Sequence, residues 1–366
     1  MKIAQIAPLE ESCPPRLYGG TERIVSYLAE EQVRQGHEVT LFASGDSKTS
    51  AHLVPCSKEA LRLDPTVTNS LPWHVAMLEE VRRRADEFDV LHFHIDFLHY
   101  PMAQPFADRM VTTMHGRLDG HDLRPVYATF PNYPLVSISD DQRGPLPFVN
   151  WAGTVYHGIP RDLLPFTEQP RGDYLAFLGR ISPEKRPDRA IEIARRAGMP
   201  LKIAAKISDT DRRYWEETIA PMIETCDHVE YVGEISESQK ADFLGNARAL
   251  LFPIDWPEPF GLVMIESMAC GTPVIAWANG SVPEIVEPGL TGYLVKSLDE
   301  AVMALGKLDR ISRRIVRATF EERFTADRMA QDYIDIYRAL PGVRAATTPM
   351  LHLRDGRDAD VLQAAQ

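Results

Sequence analysis

The stretch Glu258-Pro-Phe-Gly-Leu-Val-Met-Ile-Glu266 decides how the fold of this 366-residue chain is interpreted. The apolar run at residues 249–254 predicts a buried strand, and residues 260–270 predict the helix that follows it. Gly271-Thr-Pro ends this helix and leads into a further apolar run. The stretch therefore predicts a strand–helix unit with carboxylates on either side of the helix start.

The chemistry of this unit suits a nucleotide-sugar. Unpaired N–H groups at the start of a helix attract phosphate, whereas carboxylates repel phosphate and accept hydrogen bonds from hydroxyl groups. Eight helical residues span roughly 12 Å, which is about the distance from a sugar, across a diphosphate, to a ribose. We therefore expect Glu258 and Glu266 to bind hydroxyl groups on either side of a diphosphate.

The length of 366 residues exceeds one typical core and therefore predicts two domains. The protein is expected to be cytoplasmic. The net charge of −12 argues against nucleic acid and anionic membranes as partners. No apolar run approaches the length of a membrane span, so we expect no stable membrane insertion. The four Cys residues lack the spacing of a disulfide framework or a zinc site.

Short apolar segments alternate with helix-like segments and predict two parallel sheets. One series lies in a predicted N-terminal domain, residues 1–160, and the other in a C-terminal domain, residues 172–325. Ligands bind beyond the carboxyl ends of such strands, so two facing sheets predict an interdomain cleft. The predicted strands are residues 3–7, 39–43, 90–94, 111–114 and 135–138, then 175–178, 201–207, 229–232, 250–254 and 274–277.

Four segments in this order resemble the motifs of one enzyme family: Tyr18-Gly-Gly-Thr-Glu22, Thr113-Met-His-Gly116, Gly179-Arg-Ile-Ser-Pro-Glu-Lys185 and the Glu-x7-Glu stretch. Together they resemble retaining glycosyltransferase family 4, over roughly residues 1–340. The resemblance implies the GT-B fold, with two Rossmann-like domains facing across a cleft. It also implies that a C-terminal helix, residues 326–340, packs back on the N-terminal domain. Residues 341–366 show little periodicity and are predicted to be a flexible tail.

Two cations follow the strand at residues 175–178. Arg180 and Lys185 flank Ser182-Pro183, which is predicted to cap a helix. Taken alone, such cations are more often exposed loop charges. Beside the Glu-x7-Glu motif we expect them to stabilise a departing diphosphate without a metal.

Residues of the N-terminal half are expected to approach the sugar from the other side. Gly19 and Gly20 allow close backbone approach to the diphosphate or acceptor before a helix capped by Thr21, although an ordinary tight turn is equally consistent. A lone His is more often structural, but the resemblance implies that His115 contacts the transferred sugar. Gly116 replaces the Asp that the family usually has there, which removes a carboxylate near the acceptor.

The resemblance implies a hexosyltransferase that moves a sugar from a nucleotide-diphosphate-sugar, with a UDP-sugar such as UDP-glucose favoured. The acceptor is an unidentified small molecule, glycan or lipid-linked molecule. Glu258 and the backbone at Phe260, Gly261 and Leu262 would bind the sugar, and Glu266 the ribose. No cofactor or metal is expected.

Two alternatives remain open, a GT-B nucleotide-sugar epimerase and a non-catalytic nucleotide-sugar-binding protein. A dehydrogenase is disfavoured because no Gly-x-Gly-x-x-Gly follows a strand. His92 and His94 share one strand face, but no third metal ligand is evident. The loop aromatics of the N-terminal half are interpreted either as acceptor contacts or as simple packing; they are Trp73, Tyr100, Tyr127, Phe130 and Tyr133.

Overall fold

The structure, a computed structural model, describes residues 1–16 and 19–343. Two parallel sheets flanked by helices make up this part of the chain, which confirms the predicted α/β class. None of the helices in the described ranges combines the length and hydropathy that a bilayer crossing requires.

The N-terminal sheet has seven strands. They are β1 (Lys2–Ile6), β2 (Glu38–Ser44), β3 (His52–Ser57), β4 (Val90–Phe93), β5 (Met110–Thr113), β6 (Leu135–Ser137) and β7 (Trp151–Thr154). Their spatial order is β3-β2-β1-β4-β5-β6-β7, and every neighbouring pair is parallel.

The C-terminal sheet has six strands. They are β8 (Leu175–Arg180), β9 (Leu201–Lys206), β10 (Val229–Gly233), β11 (Ala249–Phe252), β12 (Val274–Trp277) and β13 (Gly292–Val295). Their order is β10-β9-β8-β11-β12-β13, again parallel throughout.

Helices connect most of these strands, as parallel pairing requires. They are α1 (Gly20–Arg34), α2 (Leu71–Arg84), α3 (Arg124–Thr129), α4 (Pro187–Ala197), α5 (Arg212–Tyr214), α6 (Ala220–Glu224), α7 (Glu237–Gly245), α8 (Leu262–Ala269), α9 (Val282–Ile285), α10 (Leu298–Leu305), α11 (Arg313–Arg323) and α12 (Ala326–Ala339). A π-helical turn, Trp215–Ile219, joins α5 to α6.

Strand order reverses direction at corresponding points of the two sheets. In the first sheet the reversal lies between β1 and β4, and in the second between β8 and β11. In open parallel sheets the crevice for a ligand forms at such a reversal, outside the carboxyl ends of the strands. The loops after β8 and β11 carry Arg180 to Lys185 and the Glu-x7-Glu stretch, so the topology brings these motifs together.

Three strands were not predicted from the sequence, and all three lie at sheet edges. β3, β7 and β13 each pair with a single neighbour. The side chains of β3 and β7 are mostly only partly buried, and β3 contains Pro55, which a central strand excludes. β3 and β7 therefore lack the continuous apolar run that identified central strands such as β11 and β12, which are buried throughout.

The chain passes twice between the two halves, and the two passages run side by side. Ile159 N donates to Phe324 O at 3.1 Å, and Ala326 N donates to Ile159 O at 2.9 Å. After this crossing α12 packs on α1, where the Tyr337 hydroxyl accepts from Gln5 Nε2 at 3.2 Å. The predicted tail lies, from residue 344 onward, outside the described residues.

Gly158 is expected to be essential for this double crossing. A Cβ at this position would lie 2.2 Å from the carbonyl oxygen of Thr325, whereas a Cβ at Gly306 would lie 3.6 Å from its nearest neighbour. We therefore expect Gly158→Ala to lower the free energy of unfolding by about 1–3 kcal/mol. The matched variant Gly306→Ala should change it by less than about 0.5 kcal/mol. Urea unfolding of both variants tests this, and equal stabilities would contradict it.

Candidate functional site

A cleft of about 610 Å³ lies between the two sheets and is lined by residues of both. The structure brings all ten sequence-predicted site residues to its walls. They are Gly19, Gly20, His115, Arg180, Lys185, Glu258, Phe260, Gly261, Leu262 and Glu266.

The start of α8 forms one wall of this cleft. Gly261 precedes the helix with φ +83°, a left-handed conformation that favours glycine. The helix therefore begins at Leu262, and the predicted start at residue 260 was wrong by two residues. Glu258 consequently lies in the loop before the helix, while Glu266 lies in its second turn. Both carboxylates are nearly buried, at 7% and 4% exposure.

Glu258 is held by two groups from different parts of the chain. The Lys185 ammonium forms an ion pair with it, and the indole N–H of Trp256 donates to its Oε2 at 3.0 Å. Lys185 Nζ also lies 4.6 Å from the ring centroid of Trp256. From the N-terminal half, the Arg117 guanidinium lies 5.4 Å from the same ring. Sequence reasoning missed Trp256, although its position two residues before Glu258 was a signal.

Glu266 belongs to a row of alternating charges that crosses the cleft. Lys240 Nζ donates to Glu266 Oε1 at 2.6 Å and lies 3.2 Å from Glu237 Oε2. Glu237 in turn forms an ion pair with Arg23 of α1. Sequence reasoning missed Lys240, since no local pattern connects α7 with α8. The row joins the C-terminal carboxylate to the N-terminal half.

Arg180 ends β8 and is also compensated by carboxylates. Its Nη2 donates to Glu184 Oε1 at 2.5 Å, and its Nε lies 3.3 Å from Asp211 Oδ2. The predicted helix cap at Ser182 was wrong. The Ser182 carbonyl instead accepts from Lys185 N at 3.1 Å, which closes a turn that precedes α4. This turn directs Lys185 toward Glu258.

Gly19 and Gly20 face α8 from the opposite side. Gly19 has φ +152°, and a Cβ there would lie 2.8 Å from Pro15 Cβ, so a side chain does not fit. Because α1 begins at Gly20, Thr21 is not the helix cap, which corrects that prediction. A Cβ at Gly20 would lie 3.9 Å from Leu262 Cδ1, so the two helix starts nearly touch across the cleft.

Two neighbouring imidazoles line the cleft. His115 Nε2 lies 2.8 Å from His94 Nδ1, and the His115 and His157 ring centroids lie 5.2 Å apart at 20°. Burial lowers the pKa of His115 to about 3 and holds the pKa of His157 well below its usual value. Both are therefore neutral near pH 7. His157 was missed; the only signal was a His at the start of the Pro-rich linker.

His92 and His94 share one strand face as predicted, with ring centroids 4.0 Å apart. Within residues 1–16 and 19–343, no three His, Cys, Asp or Glu side chains are arranged to hold a metal ion.

The N-terminal end of the cleft carries acidic and basic groups. Burial, as the largest cause, raises the pKa of Glu22 to about 7, and Arg62 Nη1 donates to Glu11 Oε1 at 2.7 Å. Four of the five aromatics considered for acceptor binding belong to an N-terminal core cluster, in which Tyr100 and Tyr127 are buried and Phe130 and Tyr133 pack against them. The fifth, Trp73 on α2, is 40% exposed.

Two family models match this chain. Residues 18–141 match the one described as Glycosyltransferase Family 4, and residues 165–318 match Glycosyl transferases group 1. Together the two matches span well over half of the chain. The chain belongs to the family 4 glycosyltransferases. The sequence-based resemblance is thereby confirmed.

Individual relatives extend this similarity over nearly the whole glycosyltransferase chain. An uncharacterized glycosyltransferase of Methanocaldococcus jannaschii is 23% identical over 391 residues, covering 92% of this chain and 98% of the relative. Sucrose-phosphate synthase from Thermosynechococcus elongatus has a TM-score of 0.78 at 20% identity, covering 95% of this chain and 100% of that chain. Anabaena Alr3699/HepE in complex with UDP-glucose has a TM-score of 0.69 at 19% identity, covering 93% and 100%. The predicted GT-B fold is confirmed.

The low pKa of His115 predicts an acid-sensitive fold. Between its ordinary pKa of 6.5 and about 3, the unfolded chain binds a proton that folded His115 does not, so stability falls as pH falls. We expect His115→Asn to reduce the slope of unfolding free energy against pH by up to one proton, ~1.4 kcal/mol per pH unit. Urea unfolding between pH 7.5 and 4.5 measures this slope.

His121 provides the control for this measurement. Its side chain is fully exposed, at 101%, so His121→Asn should leave the slope at the wild-type value. Equal slopes for His115→Asn and the wild type would show that folding does not lower the pKa of His115.

Proposed function

We propose that this glycosyltransferase moves a hexose from a nucleotide-diphosphate-sugar to an acceptor hydroxyl, with retention of the anomeric configuration and without a metal or cofactor. The single observation that carries the proposal is the wall around the start of α8. There Glu258 and Glu266 flank a helix N-terminus, and Lys185 contacts one of them. Carboxylates accept hydrogen bonds from sugar hydroxyls, a helix N-terminus binds phosphate, and nearby cations neutralise its charge, so these groups match the parts of such a donor.

The two carboxylates are assigned to the two sugars of the donor. Glu258, held by Trp256, would accept hydrogen bonds from hydroxyls of the transferred hexose. Glu266 would accept from the ribose hydroxyls. The diphosphate would lie between them, against the first N–H groups of α8, which have no partner within the helix. The backbone at Gly19 and Gly20 would approach it from the N-terminal half.

Donor binding would redistribute the ion pairs of the cleft. Lys185 and Lys240 neutralise Glu258 and Glu266, which are nearly buried carboxylates that are costly to leave unpaired. A diphosphate brings its own negative charge, so Lys185 and Arg180 can turn toward phosphate oxygens without leaving the cleft. Both cations would then stabilise the charge that develops as the sugar leaves.

The reaction balances without a protein nucleophile. The bond between the anomeric carbon and the β-phosphate oxygen breaks, and the acceptor oxygen forms its bond on the same face. The acceptor proton passes to an oxygen of the departing diphosphate, giving glycoside and nucleoside diphosphate. The neutral imidazole of His115 would orient the sugar during this step, and closure of the cleft would exclude water.

The donor, the acceptor and the cellular compartment are proposed on separate grounds. A UDP-sugar such as UDP-glucose is favoured because Anabaena Alr3699/HepE, which shares the fold, has UDP-glucose bound. The acceptor is a small molecule, glycan or lipid-linked molecule at the N-terminal end of the cleft. All four Cys are unpaired, which fits the cytoplasm. Family membership favours transfer over an epimerase or a non-catalytic binding protein.

Metal-free donor binding is testable by thermal unfolding with UDP-, GDP-, ADP- and TDP-glucose in EDTA. We expect the UDP series to raise Tm, because a ligand at a hundred times its Kd adds about 2.7 kcal/mol. Glu266→Gln should remove most of this shift because the ribose loses a charged acceptor. The exposed control Glu217→Gln should retain it. A shift that requires a divalent metal, or survives in Glu266→Gln, would contradict the proposal.

A further inference from the structure

A buried polar network connects α12 to the donor cleft through β1 and β4. On α12, the Tyr337 hydroxyl lies 3.2 Å from the amide nitrogens of both Gln5 and Gln32. Gln5 Nε2 also donates to Gln32 Oε1 at 2.8 Å. Gln5 Oε1 contacts His94 Nε2 at 2.8 Å, and His94 Nδ1 contacts His115 Nε2 at 2.8 Å. An uninterrupted row of contacts therefore runs from Tyr337 to His115.

The phenol of Tyr337 determines which atoms of this row carry protons. Its oxygen accepts from the two glutamine amides, and its single proton goes to His92 Nδ1 at 2.6 Å. His92 Nε2–H is then left to donate to Thr113 Oγ1 at 2.7 Å. In this arrangement each of these groups has a complementary partner.

The opposite orientation of the two glutamine amides leaves the Tyr337 hydroxyl without complementary hydrogen-bond partners. Turning over both glutamine amides would set the carbonyl oxygens of Gln5 and Gln32 against the Tyr337 oxygen. One hydroxyl proton cannot serve two carbonyls, so one buried oxygen would face another without a hydrogen bond. Turning over only Gln32 would oppose two N–H donors, and turning over only Gln5 would oppose two carbonyl oxygens. Because Gln5 is fully buried, bulk water does not reach it to compensate either defect.

The orientation of the Gln5 amide fixes which nitrogen of each neighbouring imidazole carries the proton. Because Gln5 presents its carbonyl, His94 must carry its proton on Nε2 and accept on Nδ1. His115 therefore carries its proton on Nε2, directed at His94. Its Nδ1 is left as a lone pair, buried and without a hydrogen-bond partner, in a residue that lines the cleft.

We propose that Tyr337, Gln5 and His94 hold His115 as the Nε2–H tautomer, so that Nδ1 accepts a hydrogen bond from one hydroxyl of the transferred sugar. The inference rests on the proposed function and adds the polarity of one hydrogen bond, in which the sugar hydroxyl donates and His115 accepts. His115 selects a donor sugar that offers an O–H at this point, and the three other side chains are positioning residues. The C-terminal helix thereby influences sugar selection from outside the cleft.

Donor analogues test the polarity directly. At each sugar position a deoxy and a deoxyfluoro UDP-glucose are compared, because fluorine replaces the hydroxyl without offering a proton. At the position facing His115 we expect both analogues to lose about tenfold in kcat/KM, which corresponds to about 1.4 kcal/mol, because neither offers a proton to Nδ1. In His115→Phe, whose ring has no hydrogen-bond acceptor nitrogen, the fluoro and deoxy analogues should approach the parent donor. If at every position the fluoro analogue keeps most of the activity that the deoxy analogue loses, His115 donates and the inference is overturned.

The tautomer itself is measured by long-range ¹H–¹⁵N NMR of histidine-labelled protein without donor, with His115→Asn assigning the signals. The expected result is one unprotonated Nδ1 and one protonated Nε2 for His115. The reversed pattern would overturn the inference whether or not any donor turns over. Because this readout needs no activity, failure of the proposed function remains distinguishable from failure of the inference.

Two matched variants on α12 test the positioning role. Tyr333 and Tyr337 are both fully buried, but the Tyr333 hydroxyl contacts only Thr113 Oγ1, at 2.9 Å, in this network. We expect Tyr337→Phe to release the amides, so that His115 shows a mixture of tautomers and discriminates less against the deoxyfluoro donor. Tyr333→Phe should keep the wild-type tautomer and discrimination. Identical His115 signals in both variants would overturn the role of Tyr337, and the wild-type spectrum still decides the tautomer should Tyr337→Phe not fold.

Discussion

The charge balance around the start of α8 is the constraint on which the rest of the site depends. Glu258 and Glu266 are almost excluded from water, and a carboxylate in that position is costly unless a cation meets it. The cations come from distant parts of the chain, Lys185 from the loop after β8 and Lys240 from α7. The fold of the C-terminal sheet therefore has to bring three separate segments to one place: the loop after β8, helix α7 and the start of α8.

The same balance links the two halves of the chain. Through Glu237, the row of charges that begins at Glu266 ends on Arg23 of α1. On the other side of the cleft, the backbone N–H groups of Asp140 and Asp141 donate to Glu284 at 2.8 and 2.9 Å. Ligand charge that enters between these contacts must shift them, so donor binding and closure of the cleft are expected to be coupled.

The sequence predicted what depends on local pattern. Central strands such as β11 and β12 are continuous apolar runs, and such a run predicts a buried strand without any tertiary information. The ten predicted residues that line the cleft could be identified from the sequence because they belong to motifs attached to strand ends. Helix starts were harder to predict, because the left-handed backbone at Gly261 and the turn at Ser182 depend on contacts with distant residues.

Residues that act through tertiary contacts left no local signal. Lys240 occupies an ordinary helix position, and only the folded chain brings it to Glu266. The network from Tyr337 to His115 joins residues more than two hundred positions apart, so its proton order emerges only from the assembled geometry. The polarity of His115 illustrates this, since a histidine in sequence does not disclose which nitrogen carries the proton.

The central claim is transfer with retention at a metal-free donor site, and slow donor hydrolysis tests it without knowledge of the acceptor. Water replaces the acceptor, and ¹H NMR follows the sugar released from UDP-α-glucose in EDTA before the anomers equilibrate. The account predicts that α-glucose appears first, at a rate that EDTA leaves unchanged. Initial release of β-glucose, or release only after a divalent metal is added, would contradict it.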